Sequence, residues 1–516
     1  MKTTLKYSVY VISFLIIWLN QPAWAQTVTP AKARKTIQAT PEEIKKLQTK
    51  VEANPDSLNF HQAYIKAAGI ESPEVAAQYD VWMAKFPKSA IVPYAIGKSY
   101  ASAESPKAKP YLLKAVKIDP KFTEAWGGLW EDAQRWGDFK GGDEYLKKAT
   151  ESDPSNAAYA FYYTMSFEKA DPALYRQKIL DLAKRFPENE RGAQGLYWLA
   201  ERSNDTPFRI KIYEQLKNSF LPGKFNWSNS GMSAYFTLLL DVDPEKAVAL
   251  AQEMVKLRAN DKSWPGQVTV AQNVVEATKL ISEKKGAEAL TLIASMKLPR
   301  YFPFKTGLSI LKAQAVAVSV NTTAAYDSLM VYFVKTPDVK LKKCIADYGG
   351  AMGKNSIQVE ADIWKKLDAV SKQATPFTLK RYLTPGMASL SDYQGKVVLL
   401  TYWFPGCGPC RGEFPHFEKV IREFKGKPVD YLGLNIAPEQ NEYVIPFMKS
   451  SGYSFTPLED VKGRVKGNID NGSAAPVNFL IDQQGRIIFS DFSINETNED
   501  QLEMMINLIL AHGNKA

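Results

Sequence analysis

From about residue 41 to residue 373, apolar residues recur at three- and four-residue steps, the spacing of one helical face. Within residues 121–154, Trp126, Leu129, Trp130 and Ala133 share such a face, and Tyr145, Leu146 and Ala149 supply a facing one. Dipeptides ending in proline punctuate the pattern: Asn54-Pro55, Phe86-Pro87, Asp119-Pro120, Asp153-Pro154 and Phe186-Pro187, with intervals of 32, 33, 34 and 33 residues. Proline cannot continue the preceding helix and suits the turn that opens the next. This period predicts stacked helical hairpins, each too small to bury its apolar face alone. The repeat is clear over about 55–190. From Glu188 to Gln373 it fades while helical spacing persists, which predicts degenerate helical pairs continuing the array. Its aromatic residues read as core; a concave peptide-binding groove is the functional alternative.

Near Ala374 the period changes to alternation, and residues 396–403 (KVVLLTYW) form a short, almost unbroken apolar run that suits a buried strand. The chain therefore divides into an all-α solenoid over 41–373 and an α/β domain over 374–516. The second part predicts a strand at Val397–Phe404, a helix from about Cys410 to Phe424, a strand over 429–436 and a helical stretch around 442–450. Two further strands flank the turn Gln483-Gln484-Gly485, and a last helix runs from about Glu499 to His512.

Composition changes this picture only at the ends. With 516 residues, 45% hydrophobic and 23% charged, the chain suits two or more folded domains. Lys2 and Lys6 precede an apolar run, Tyr7–Leu19, that is shorter than the roughly 20 residues needed to cross a bilayer. Ala23-Trp24-Ala25 follows as a small-x-small cleavage signal. Residues 1–25 are thus expected to be a cleaved secretory signal and 26–40 a linker, with the mature chain exported to the periplasm or cell envelope. The formal charge is +10, yet from Ala374 onward 14 Lys and Arg face 16 Asp and Glu. The positive excess belongs to the array and, with no polybasic run, reads as a solvated helical surface rather than a nucleic-acid site.

The candidate chemistry lies in Cys407-Gly408-Pro409-Cys410. Such a pair can be a redox couple, half a zinc site or a structural staple. Zinc needs four ligands, and Cys344, His61, His416 and His512 are scattered along the sequence, so no metal is expected. A permanent disulfide across so short a loop gains little chain entropy, which favours redox use. Where a strand hands over to a helix, unpaired N–H groups and the positive dipole end favour thiolate. Cys407 is therefore predicted to be the more exposed of the two and the nucleophile, and Cys410, one turn inside, the resolving cysteine. Cys344 is expected to be a buried apolar residue and His416 a surface residue.

Two resemblances extend this reading. The unit at 121–154 resembles the tetratricopeptide repeat family: Trp126 and Leu129 match its Trp-x-x-Leu opening, Ala149 its late alanine and Pro154 its closing proline, while Gly97 and Tyr100 match Gly-x-x-Tyr one unit earlier. Trp130 departs from it, standing where a small glycine is expected. Residues 374–516 resemble the thioredoxin fold through Cys-Gly-Pro-Cys, the helix proline Pro415, and Ala475-Pro476 at the place of the cis-proline loop. The leading hairpin at 377–400 and the run Arg411–Pro415 are similar to the extracytoplasmic TlpA-like branch. That resemblance implies a disulfide reductase without bound cofactor, a redox disulfide Cys407–Cys410, and substrate contacts from Trp403, Gly408, Pro409, Ala475 and Pro476. It also implies a disulfide-containing client and an upstream dithiol donor such as a membrane reductase.

The departures carry information too. Thr401, six residues before Cys407, stands where cytoplasmic thioredoxins have a buried aspartate, and Gly433 stands for its lysine partner. Glu413, one helical turn after Cys410, is expected to replace that aspartate as acid/base. Gly406 occupies the usual tryptophan position. The array is expected to recruit a client or partner. The rival readings are an envelope scaffold with an accessory redox module, and an oxidase or isomerase using the same residues.

Overall fold

The computed structural model describes residues 26–27, 39–298, 302–460 and 467–513. The expected signal segment and most of the expected linker lie outside the described residues.

Among the described residues, twenty helices run from Pro41–Ala53 to Ser356–Asp368. Five of them end at Ala53, Lys85, Ile118, Ser152 and Arg185, each two residues before one of the periodic prolines. The proline therefore acts in the turn, past the last helical hydrogen bonds. Asn caps start two of the elements that follow these prolines: Asn156 accepts from the Ala158 and Tyr159 amides, and Asn189 from Arg191. In the unit made by α1 (Thr123–Arg135) and α2 (Phe139–Ser152), Leu129, Ala133, Leu146 and Ala149 are buried as the spacing predicts. Trp130 finds its room against Tyr162 of the following unit, ring centroids 4.8 Å apart, so the bulky residue is absorbed by a neighbour.

The second part is an eight-stranded sheet: β1 (Lys372–Gln373), β2 (Thr378–Arg381), β3 (Met387–Ser389), β4 (Val397–Trp403), β5 (Val429–Asn435), β6 (Thr456–Glu459), β7 (Val477–Ile481) and β8 (Arg486–Ser490). Their spatial order is β1-β8-β7-β4-β5-β6-β2-β3. β4 lies at the centre, parallel to β5 and antiparallel to β7, and all seven of its residues are buried. Such double-sided burial is what its unbroken apolar run requires. Among the described residues, three α-helices complete the domain: α3 (Gly408–Glu423), α4 (Asn441–Ser451) and α5 (Glu499–Gly513).

The two parts meet over several surfaces. Trp364, near the end of the array, donates its indole N–H to the Leu508 carbonyl at 3.2 Å and stacks on His512 with centroids 3.8 Å apart. Ile363, Trp364 and Leu367 share one contiguous apolar core with the sheet. At the α1–α2 corner, Trp136 packs on Tyr443 and Phe139 on Phe447. Gly137 turns that corner at φ +68°, and a Cβ there would sit 2.9 Å from the Phe447 carbonyl oxygen. Cys344 is half-buried against the shared core, less enclosed than expected because its helix, Val339–Ala351, keeps a solvent face.

Candidate active site

β4 ends at Trp403, and four residues later Cys407 becomes the N-cap of α3. Its amide donates to the Phe404 carbonyl at 2.9 Å, closing the turn. The Cys410 amide donates to Cys407 Sγ at 3.2 Å, so the sulfur takes the place of a capping oxygen. Pro409 suits the first turn because its missing N–H would be unpaired there. Cys407 and Cys410 form a disulfide with Cα atoms 5.3 Å apart. The helix dipole and this N–H both favour negative charge on Cys407 once the bond is reduced.

Both sulfur-bearing residues are fully buried, which corrects the expectation that Cys407 is the more exposed of the two. Other segments crowd this face. Gln440 accepts the Gly406 N–H at 2.6 Å and donates to Glu104 of the array at 2.7 Å. Arg411 donates to the Gln134 carbonyl at 2.9 Å. Ala474–Ala475 pairs antiparallel with the backbone of Gln26–Thr27. The cysteine motif itself carries no information about what docks on it. Gly406 has its own reason: a Cβ there would lie 2.9 Å from Gln440 Oε1, so glycine admits the glutamine where a tryptophan would exclude it.

The Ala475–Pro476 peptide is cis and leads directly into β7. Tyr402 pins the approaching loop by donating to the Ile469 carbonyl at 2.8 Å, and Asn471 donates to Ala474 at 2.6 Å. Gly408 and Pro409 lie beside Cys407 and retain partial exposure. Trp403 does not belong with them. It is fully buried among Phe414, Phe447 and Phe455, because its position on the all-buried central strand turns it into the core. The same packing accounts for Gly433, which pairs with Thr401 across β4–β5: a Cβ there would lie 2.6 Å from the Phe455 ring and 2.9 Å from Trp403 Nε1. The space that a lysine would need is filled by aromatics.

Glu413 is buried, only 6% exposed. Its carboxylate accepts from Asn478 Nδ2 at 3.0 Å and from the Ile494 amide at 3.1 Å. Burial pushes its pKa up to about 7, with the two hydrogen bonds opposing the shift. An acid poised there can exchange protons at neutral pH. Sequence reasoning missed Asn478. Its signal was one polar residue inside the apolar strand VNFLI.

His416 is also buried rather than at the surface. Its Nδ1 lies 2.7 Å from Glu499 and its Nε2 3.4 Å from Glu496, since α3 packs against α5 at this turn. Glu496 pairs in turn with Arg202 of the array at 2.8 Å, so this cluster links the two parts.

Among known proteins, the Redoxin family model matches residues 369–506. The thiol-disulfide oxidoreductase ResA of Bacillus subtilis is 35% identical over 99 residues, 19% of this chain and 54% of ResA. The thioredoxin-like protein YneN of the same organism is 31% identical over 139 residues, 27% of this chain and 78% of YneN. The chain thus spans about half the length of one curated relative and more than three quarters of the other. The solved thioredoxin domain of a thiol-disulfide oxidoreductase from Bacteroides vulgatus is 23% identical, covers 26% of this chain and 96% of its own, and has a TM-score of 0.23. By the redoxin match and the span of YneN, and through the domain that carries Cys407 and Cys410, this chain belongs to the redoxin family, among the ResA- and TlpA-like thioredoxin-fold proteins.

Proposed function

We propose that the chain is an exported thiol-disulfide oxidoreductase that reduces protein disulfides through Cys407 and Cys410. The observation that carries this reading is Cys407 as a helix N-cap, with the Cys410 amide on its sulfur and a disulfide to Cys410 itself.

In the reduced protein the Cys407 thiolate attacks one sulfur of a client disulfide. A Cys407–client bond forms, the client bond breaks, and the electron pair leaves on the second client sulfur. The Cys410 thiol then gives its proton to Glu413, and its thiolate attacks Cys407 Sγ. The mixed disulfide breaks, the client leaves with both sulfurs reduced, and the Cys407–Cys410 bond is restored. Two electrons have passed from the dithiol to the client. A second dithiol protein outside this chain, such as a membrane reductase, returns the pair to the reduced state by the same exchange. Pro476 and the Ala475 backbone, with Gly408 and Pro409, supply the surface on which the client chain lies.

The array recruits the client or the donor and also governs access. Cys407 has no exposed surface, so turnover requires the segments over it to part. Insulin reduction by the wild type and by Cys407→Ser tests the catalytic reading: equal, negligible rates would instead favour a scaffold with an accessory module. The equilibrium of the pair with glutathione separates a reductase from an oxidase or isomerase that shares every residue.

A further inference from the structure

Thr401, Asn478 and Glu413 come from β4, β7 and α3, and meet in the buried interior of the domain. Thr401 Oγ1 donates to Asn478 Oδ1 at 2.6 Å. The amide nitrogen of Asn478 donates to Glu413 Oε2 at 3.0 Å and to the Phe492 carbonyl at 2.8 Å. The amide has one workable orientation. Reversing it would set its oxygen against a carboxylate and a carbonyl, both acceptors, and leave the Thr401 hydroxyl facing an NH₂ group. Thr401 and Asn478 are also direct partners in the β4–β7 register, which fixes their separation. Thr401 thus occupies the sequence place of an acid without supplying one. Its hydroxyl instead holds the residue that holds Glu413.

We propose that Asn478, locked by Thr401, is a positioning residue for the resolving half-reaction: it fixes the Glu413 carboxylate and favours its ionised form, ready to accept the Cys410 proton. The inference rests on the role given to Glu413 above. Among the described residues, the Tyr431 phenol of β5 also interacts with Glu413, and burial keeps it neutral. On the loop and helix beyond, Glu496 and Glu499 are engaged by Arg202, His416 and Lys419.

The test uses the full chain with two readouts. In the oxidised protein, the infrared C=O band of protonated Glu413, assigned by its loss in Glu413→Gln, is titrated against pH. Asn478→Leu removes the donor, Thr401→Val frees the amide, and Asn478→Ser restores a smaller donor. The expected result is a midpoint raised by about one pH unit or more in Asn478→Leu, a smaller rise in Thr401→Val, and partial return in Asn478→Ser. A wild-type midpoint in folded Asn478→Leu overturns the proposal. Should that variant fail to fold, a wild-type midpoint in both of the others overturns it. The second readout is the pH profile of mixed-disulfide resolution, using the aromatic disulfide 5,5′-dithiobis(2-nitrobenzoate). A wild-type profile in Glu413→Gln removes the acid/base role itself, whatever the infrared band shows.

Discussion

The Gln440 side-chain amide donates to Glu104 at 2.7 Å, joining residues 336 positions apart in the chain. Its carbonyl oxygen takes the Gly406 N–H, immediately before Cys407, so the array is tied to the neighbour of that cysteine. Weakening this contact has a measurable consequence. In reduced protein carrying Cys344→Ser and Cys410→Ser, a bulky maleimide should label Cys407 slowly. Adding Gln440→Ala and Trp136→Ala should raise the labelling rate about tenfold, since a hydrogen bond to a charged group and a buried aromatic contact are lost. An unchanged rate, followed by mass spectrometry, would mean that other segments seal the sulfur.

Glu413 also sets a pH dependence of stability. Its pKa is raised from 4.5 in the unfolded chain to about 7 in the folded one, so the native state holds the extra proton between those values. Stability therefore falls as pH rises from about 4.5 to 7 and is level in this respect above it, a span on the order of 3 kcal/mol. Glu413→Gln should flatten that slope in urea unfolding of the oxidised protein, compared between pH 5 and pH 8. A slope equal to that of the wild type would assign it to other groups.

Gly433 is expected to resist even the smallest side chain. Gly433→Ala drives a methyl group toward Phe455 and Trp403 inside a packed aromatic cluster, and should cost about 1–3 kcal/mol. A thermal unfolding midpoint equal to that of the wild type would show that the cluster relaxes freely.

Cys410→Ser should stop the cycle halfway. Reduced Cys410→Ser mixed with insulin is expected to accumulate a covalent adduct on Cys407, visible on non-reducing gels and released by dithiothreitol. The reverse assignment, with Cys410 attacking first, predicts that adduct in Cys407→Ser instead.

Much of this architecture is legible in the chain because it is written in local periodicities. The proline spacing marks five helix ends, and the apolar run at 396–403 marks the central strand, since both follow from backbone chemistry within a few residues. The cysteine pair and the helix start are equally local. What escapes is whatever depends on a distant partner. Trp403 looks like an active-site aromatic until the packing of Phe414, Phe447 and Phe455 claims it. His416 gives no sign that Glu499, 83 residues later, will cover it. Asn478 shows as an anomaly in its strand, but its meaning needs Thr401 and Glu413 brought together from other elements.

Trp364 belongs by sequence to the helical array, yet its indole bonds to the last helix of the chain and its ring lies within the sheet's own core. A fragment cut at the change of periodicity, near Ala374, would leave the sheet domain with an apolar wound where Ile363, Trp364 and Leu367 had been. The smallest piece expected to stand alone thus begins upstream of the helix Ser356–Asp368. Genetic dissection at the obvious seam would discard part of the foundation along with the superstructure.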